Sequence, residues 1–218
     1  MEFNKATLKQ NILPRFGDYF QYKHAFTDEH IERTHSMIYD NNIKFHKGQT
    51  GPEDAKEAYS SNNRDIAYVE VANYSMWIYE YLEGAVIHAN EQMFNFNIDY
   101  VTDPLHYVIY PEPNKVGATG EMREKGGFLH WHMDLGIGNT SRRKLATIVQ
   151  LSDPNDYEGG ELHIFTGGDP TVYDEKLIVQ LDKGDVVVFP SFYMHQLTPV
   201  TRGERRSLVY WTGGTPFK

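Results

Sequence analysis

From residue 105 onward, short β-branched and aromatic runs alternate with Gly, Pro, Asp and Asn breaks. This spacing restricts the fold more than any other property of the 218 residues. Strands are expected over 105-110, 128-134, 144-151, 160-166, 176-181, 185-189, 194-199 and 206-212. Eight strands of this length suit a double-stranded β-helix, a jelly roll of two facing, mostly antiparallel sheets. Gly159-Gly160 turns the chain into Glu161 to Phe165, and Lys183-Gly184-Asp185 turns it into Val186 to Phe189. Arg202-Gly203 is expected to close a last hairpin.

The first half reads differently. Thr27 is an N-cap candidate for a helix over 27-40, and Trp77, Ile78, Tyr81, Leu82, Ala85, Val86 and Ala89 recur at helical steps within 73-95. That second helix should pack on a sheet. Segment 42-63 is polar and rich in Gly, Asn and Ser, and reads as a long loop before a short strand through Ala67, Tyr68 and Val69. The fold class is therefore α+β. One domain spanning 1-218 is expected, with 1-100 as helix-rich support and 101-218 as the β-helix core.

Composition excludes several chemistries. With no cysteine, disulfides, iron-sulfur clusters, thiolate zinc sites and Cys nucleophiles are impossible, so a metal must use His and carboxylate ligands. A net charge of −9 argues against the broad basic surface of a nucleic-acid or anionic-lipid binder. Arg142, Arg143 and Lys144 form a local basic patch whose simpler reading is a solvated loop. No apolar run is long enough for a membrane span. The opening residues MEFNKATLKQ lack signal-peptide character, so cytoplasmic residence is the default.

His132, Asp134 and His195 have the residue types and order that a mononuclear Fe(II) site needs. Two imidazoles and one carboxylate occupy one coordination face and leave the others open. Side chains two apart on a strand share a face, so His132 and Asp134 can converge, while His195 must arrive from another strand. A His-x-Asp triplet alone is weak, since a chain with 10 histidines can carry one by accident. His130 shares the expected face and is assigned beyond the ion, as a group orienting a ligand or facing substrate. His163 is assigned to packing.

Arg205 follows at a distance suited to the far carboxylate of a diacid cosubstrate. Strand alternation puts Arg205, Ser207, Val209 and Trp211 on one face and Arg206 on the other. With a hairpin at Gly203, Arg205 would face Val200, about five residues or roughly 16 Å along the strand from His195.

Longer motifs add a resemblance. YPEP at 110-113, HWHMD at 130-134, RKLATIVQLSDPNDYEGGELHIF at 143-165 and KGDVVVFPSFYMHQLTPVTRGERRSLVYWTGG at 183-214 resemble the prolyl 4-hydroxylase-like, PKHD-type branch of the Fe(II)/2-oxoglutarate-dependent dioxygenases. The first 100 residues match more loosely. The resemblance implies a double-stranded β-helix with Fe(II) held by His132, Asp134 and His195. It further implies 2-oxoglutarate and O2 as cosubstrates, Arg205 on the C5 carboxylate, and ascorbate as a candidate reductant. By the same resemblance Tyr110 and Gln150 fall where relatives contact the cosubstrate, Ser207 completes the Arg-x-Ser pattern, and Leu162 and Trp211 resemble the apolar walls of the cosubstrate pocket.

Two departures stand out. Collagen-type relatives commonly have Lys in place of Arg205, and the link 112-127 is longer than usual. The expected substrate is a prolyl residue of a peptide or protein, hydroxylated at C4, with loops 42-63 and 112-127 as candidate lids. A free amino acid or other small molecule is the alternative substrate. A non-catalytic cupin-like metal-binding module is the alternative of another class, and a hydrolytic zinc enzyme ranks third.

Overall fold

Thr27 starts the first helix by a reciprocal pair of hydrogen bonds: its hydroxyl accepts from the His30 amide, and its own amide donates to the His30 ring, both at 3.3 Å. The computed structural model describes residues 18-48, 62-165 and 176-216. In chain order these residues form β1 (Phe20–Tyr22), α1 (Asp28–Asp40), β2 (Phe45–Lys47), β3 (Asn62–Asn63), β4 (Asp65–Val69), α2 (Met76–Ala89), β5 (Tyr100–Val101) and β6 (Leu105–Pro111). There follow β7 (Lys115–Val116), β8 (Met122–Arg123), β9 (Phe128–His132), β10 (Arg143–Gln150), β11 (Tyr157–Gly159) and β12 (Leu162–Phe165). The last are β13 (Leu177–Val179), β14 (Val186–Pro190), β15 (Met194–Leu197) and β16 (Val200–Gly213).

Two sheets face each other as a double-stranded β-helix. The major sheet runs β1-β14-β10-β16-β6-β4-β2, with β5 and β11 also paired to β16, and the minor sheet runs β13-β12-β15-β9-β3. Strand pairings among the described residues are antiparallel. The major sheet is covered on both sides, which explains why its strands read as near-continuous apolar runs. On one side Tyr107, Leu145, Val149, Leu208 and Tyr210 pack with Ile78, Leu82 and Val86 of α2. On the other, Val108, Tyr110, Ala146, Ile148, Val209 and Trp211 meet Leu129, Leu162, Ile164 and Leu197 of the minor sheet. Burying a side chain such as Leu82 contributes roughly 1.5–3 kcal/mol.

Three expectations change. The helix-rich supporting half holds more strands than the expected one through Ala67 to Val69, because β1, β2, β3 and β5 also join the two sheets. Within the expected loop 42-63, Phe45–Lys47 forms an edge strand on β4; the polar alternation of Lys44, His46 and Lys47 hid it. Residues 49-61 of that candidate lid lie outside the described residues, as does the MEFNKATLKQ segment.

The third change concerns Gly203, which does not close a hairpin. Its φ of +72° bends β16 beside β11, where a Cβ would meet the Asp156 carbonyl oxygen at 2.1 Å. The chain then continues as one strand from Val200 to Gly213. Arg205 thus belongs to the sheet opposite His195, and the distance estimate along a common strand does not hold. The longer link 112-127 carries the β7-β8 hairpin, fastened by a buried ion pair between Arg123 and Asp65.

Candidate metal and cosubstrate site

β9 and β15 are neighbours in the minor sheet, and their pairing puts His132 opposite His195 with ring centroids 4.1 Å apart. Each ring is oriented by the backbone. His132 Nδ1 lies 2.8 Å from the His130 carbonyl oxygen, and His195 Nδ1 lies 3.0 Å from that of Tyr193. Both Nε2 atoms therefore point at the same place. Asp134 sits just past the end of β9, where its amide donates to the Ser191 carbonyl at 3.0 Å. Its carboxylate oxygens lie 3.6 Å from His132 Nε2 and 3.5 Å from His195 Nε2. The three donor atoms all fall within 4.8 Å of one another. Ligands at right angles about 2.1 Å from one ion stand roughly 3 Å apart, so the set suits a single metal.

The protonation states also suit a metal. Burial of His195 outweighs the attraction of Asp134 and pushes the imidazole down to about 4, so it is neutral at pH 7. Burial works against ionised Asp134, yet the His195 and His132 imidazoles and the Trp211 side chain hold its carboxyl well below the usual range. A neutral imidazole and an anionic carboxylate are the forms that bind a divalent ion.

These side chains form one wall of a cavity of about 570 Å³. Tyr110, Leu162, Arg205, Ser207 and Trp211 also line it, together with Ile148 and Val209. Arg205 is 2% exposed, and among the described residues no carboxylate pairs with it. Its Nη1 lies 3.5 Å from Ser207 Oγ, and its guanidinium carbon is 5.6 Å from the centroid of the Tyr110 ring, whose residue is its register partner. Arg206 points to the other face and pairs with Glu204 at 2.6 Å. A buried cation without a counter-ion is costly unless an anion joins it. Fe(II) and a dicarboxylate therefore fit the residues present.

Four residues depart from the sequence expectation. Gln150 does not line this cavity. Its amide donates to the Ser152 carbonyl and the Tyr157 hydroxyl, beside a smaller pocket that touches the cavity only through Arg205 and Leu162. His130 is exposed and packs against Phe128, so its ring neither lines the cavity nor orients a ligand; only its carbonyl reaches His132. Arg143 is no solvated loop residue, because it donates to both oxygens of Asp103 and lies 4.1 Å over the Trp211 ring. Lys144 is buried as well. His163 fits its packing assignment, 3% exposed and 2.9 Å from Glu161.

The sequence reading missed Arg64 and His106, both in the cavity wall. His106 was detectable, since it stands four residues before Tyr110 in a strand and so shares its face. Burial and the charges of Arg64 and Arg143 push it down to about 3, so it is neutral. Arg64 precedes the short strand expected at Ala67 and had no such signal.

Residues 118-213 match the family model of the 2OG-Fe(II) oxygenase superfamily. Over these residues the chain is similar to the 2OG-Fe(II) oxygenases. The chain is 41% identical over 81 residues to a PKHD-type hydroxylase of Synechococcus sp., covering 37% of this chain and 34% of that protein. It is 36% identical over 107 residues to a PKHD-type hydroxylase of Polaromonas sp., covering 45% and 44%. The matched part thus spans less than half the length of these curated relatives. Among solved structures, a Pseudomonas putida prolyl-4-hydroxylase shares the fold with a TM-score of 0.61 at 19% identity, over 89% of this chain and 91% of its own. A Trichoplax adhaerens prolyl hydroxylase, in complex with a hypoxia inducible factor oxygen degradation domain peptide fragment, reaches 0.67 at 12% identity over 95% and 86%. No helix among the described residues is long and apolar enough to cross a membrane.

Proposed function

We propose that the chain is a single-domain Fe(II)- and 2-oxoglutarate-dependent hydroxylase of the prolyl 4-hydroxylase type, acting on a prolyl residue of a peptide or protein. One observation carries the reaction class: the converging His132, Asp134 and His195 share a cavity with buried Arg205, which no described carboxylate neutralises. When bound, iron and 2-oxoglutarate supply the oxidation, in which one atom of O2 enters the substrate and decarboxylation of the cosubstrate yields succinate and CO2.

The protein's own groups bind and position. His132, Asp134 and His195 would hold the metal. Arg205 forks onto the C5 carboxylate, Ser207 and Tyr110 flank that fork, and Trp211 closes the wall beside Asp134. Apolar Leu162, Ile148 and Val209 keep water from the reacting centre. Gln150 keeps at most an indirect part, by packing around Arg205 from the smaller pocket.

The peptidyl substrate is supported by the prolyl hydroxylases among the structural neighbours, one of them described with a peptide. Ascorbate as reductant and a cytoplasmic site of action belong to the same proposal. The test is a mass-spectrometric screen of prolyl peptides and free amino acids with Fe(II), ascorbate and 2-oxoglutarate. A gain of one oxygen on a peptidyl proline, lost in Asp134→Ala, is the expected result. Turnover of free amino acids alone would replace the peptidyl reading with the small-molecule one. No metal-dependent binding of 2-oxoglutarate at all would favour a non-catalytic module.

A further inference from the structure

Arg64 is a second cation in the wall of the same cavity, and nothing described in the protein neutralises it. It lies immediately before β4 and lines the cavity with His106, His132, Asp134 and His195. Its Nε is closed off from solvent with no hydrogen-bond partner. Among the described residues no carboxylate stands within ion-pairing distance of it. Its neighbours in charge are different: Arg143 is paired with Asp103, and Arg123 with Asp65. Of the three arginines that line this cavity, Arg143 is paired and Arg205 is assigned to the cosubstrate, which leaves Arg64 without a carboxylate among the described residues.

The backbone is built to admit this side chain. The Gly48 amide donates to the Arg64 carbonyl at 2.8 Å, and a Cβ on Gly48 would sit 2.5 Å from Arg64 Cγ and 2.8 Å from Nε. Only a residue without a side chain leaves that space. His106 stands beside it on the same cavity wall, edge-on to Tyr68 and to Trp211 with centroids 4.7 Å apart in both cases. The His106 Nδ1 is also buried without a partner. A partly desolvated guanidinium next to an unused hydrogen-bonding nitrogen costs stability in the empty protein, and an anionic ligand would recover it.

We propose that Arg64, with His106 beside it, binds a carboxylate carried by the substrate close to the carbon that is hydroxylated. This rests on the reading of Arg205 as the cosubstrate anchor. A carboxylate matches the planar fork of a guanidinium, and the overall charge of −9 leaves general attraction no role in drawing an anion in. The carboxylate has two sources: an acidic side chain next to the target residue in a peptide, or the α-carboxylate of a terminal or free amino acid.

The experiment measures binding by calorimetry to the protein loaded with Mn(II) and 2-oxoglutarate, which does not turn over. The ligands are matched pairs: a Glu-Pro peptide against Gln-Pro, L-proline against L-prolinamide, and the same pairs with alanine in place of proline. At least one pair should favour the carboxylate by about tenfold or more. Arg64→Gln should bring that ratio near one while neutral ligands keep their affinity within about twofold, and Arg64→Lys should keep part of the preference.

Preference in the Glu/Gln pair assigns the side chain, and preference in the proline/prolinamide pair assigns the α-carboxylate. A wild-type protein without preference in any pair, or a preference that survives Arg64→Gln, overturns the proposal. Arg64-dependent preference confined to the alanine ligands supports it while removing the prolyl reading. Cosubstrate binding that is unaffected by Arg205→Ala overturns the assignment it rests on.

Discussion

Leu129 and His132 both face the barrel interior although three positions separate them in β9, because their register partners Leu197 and His195 are only two apart. The extra residue is a bulge, and it breaks the alternation that a regular strand would impose. His130 is thereby turned out to solvent.

Metal binding should therefore discriminate sharply among the histidines of the HWHMD segment. His130→Ala keeps its backbone carbonyl and should leave Mn(II) affinity within about threefold. His132→Ala or Asp134→Ala removes a donor atom and should weaken it by roughly 100-fold or more, beyond the 10- to 100-fold typical of ligand-orienting groups. Equilibrium dialysis of the three variants decides between them, and an equal loss in His130→Ala would restore that residue to the site.

Arg205 should separate function from stability. Arg205→Met removes a charge that is buried without a carboxylate partner, so the melting temperature should hold or rise. The affinity for 2-oxoglutarate should fall by on the order of 30- to 1,000-fold, the equivalent of losing a buried charge pair worth about 2–4 kcal/mol. Calorimetry and thermal unfolding of one variant give both numbers; a large drop in stability would mean that Arg205 is a structural residue.

Asp65 should behave in the opposite way. Its carboxylate accepts from Arg123, from the Ala118 amide at 2.6 Å and from Thr119, and so fastens the β7-β8 hairpin to β4. Asp65→Ala leaves the buried Arg123 guanidinium with only the exposed Glu121 carboxylate, at 3.3 Å, and should cost about 3–5 kcal/mol in urea unfolding. Asp65→Leu combined with Arg123→Met should recover much of that. A double variant as unstable as the single one would show that the backbone contacts, not the ion pair, hold the hairpin.

The metal-free protein should lose stability as the pH falls from about 6.5 toward 4. His106 and His195 are pushed down to about 3 and about 4 by burial, below the 6.5 of the unfolded chain. The unfolded state binds more protons in that window, so their contribution is full above it and lost as the pH drops through it. Asp134, held low, extends the loss below the unfolded carboxylate value of 3.8. For His106 the effect is on the order of several kcal/mol. Urea titrations at pH 7, 6, 5 and 4 should show a shallower decline for His106→Phe; an unchanged slope would remove His106 as a contributor.

The site's chemistry was largely legible in the chain. His132, Asp134 and His195 stand out as candidate ligands by residue type and order, and alternation puts Arg205, Ser207, Val209 and Trp211 on one face unless a bulge intervenes. Thr27 and the helical spacing of Ile78, Leu82 and Val86 were equally local signals. Each is a short-range rule of backbone geometry, and such rules survive folding.

What failed were inferences that needed to know which strands are neighbours. Gly203 reads as a turn until β11 crosses it, at which point its positive φ serves close passage rather than reversal. Gln150 has the correct parity, but Tyr157 and the Ser152 carbonyl engage its amide first. His130 obeys alternation in the sequence and violates it across a bulge set by β15. Arg64 has room in the cavity wall because Gly48, on the adjoining segment, carries no Cβ to meet it. The amino-acid sequence alone determined the types and order of the candidate ligands and the face that Arg205, Ser207, Val209 and Trp211 share. Only the tertiary structure decided which side chains find partners first, because pairing depends on distances between strands that no local spacing encodes.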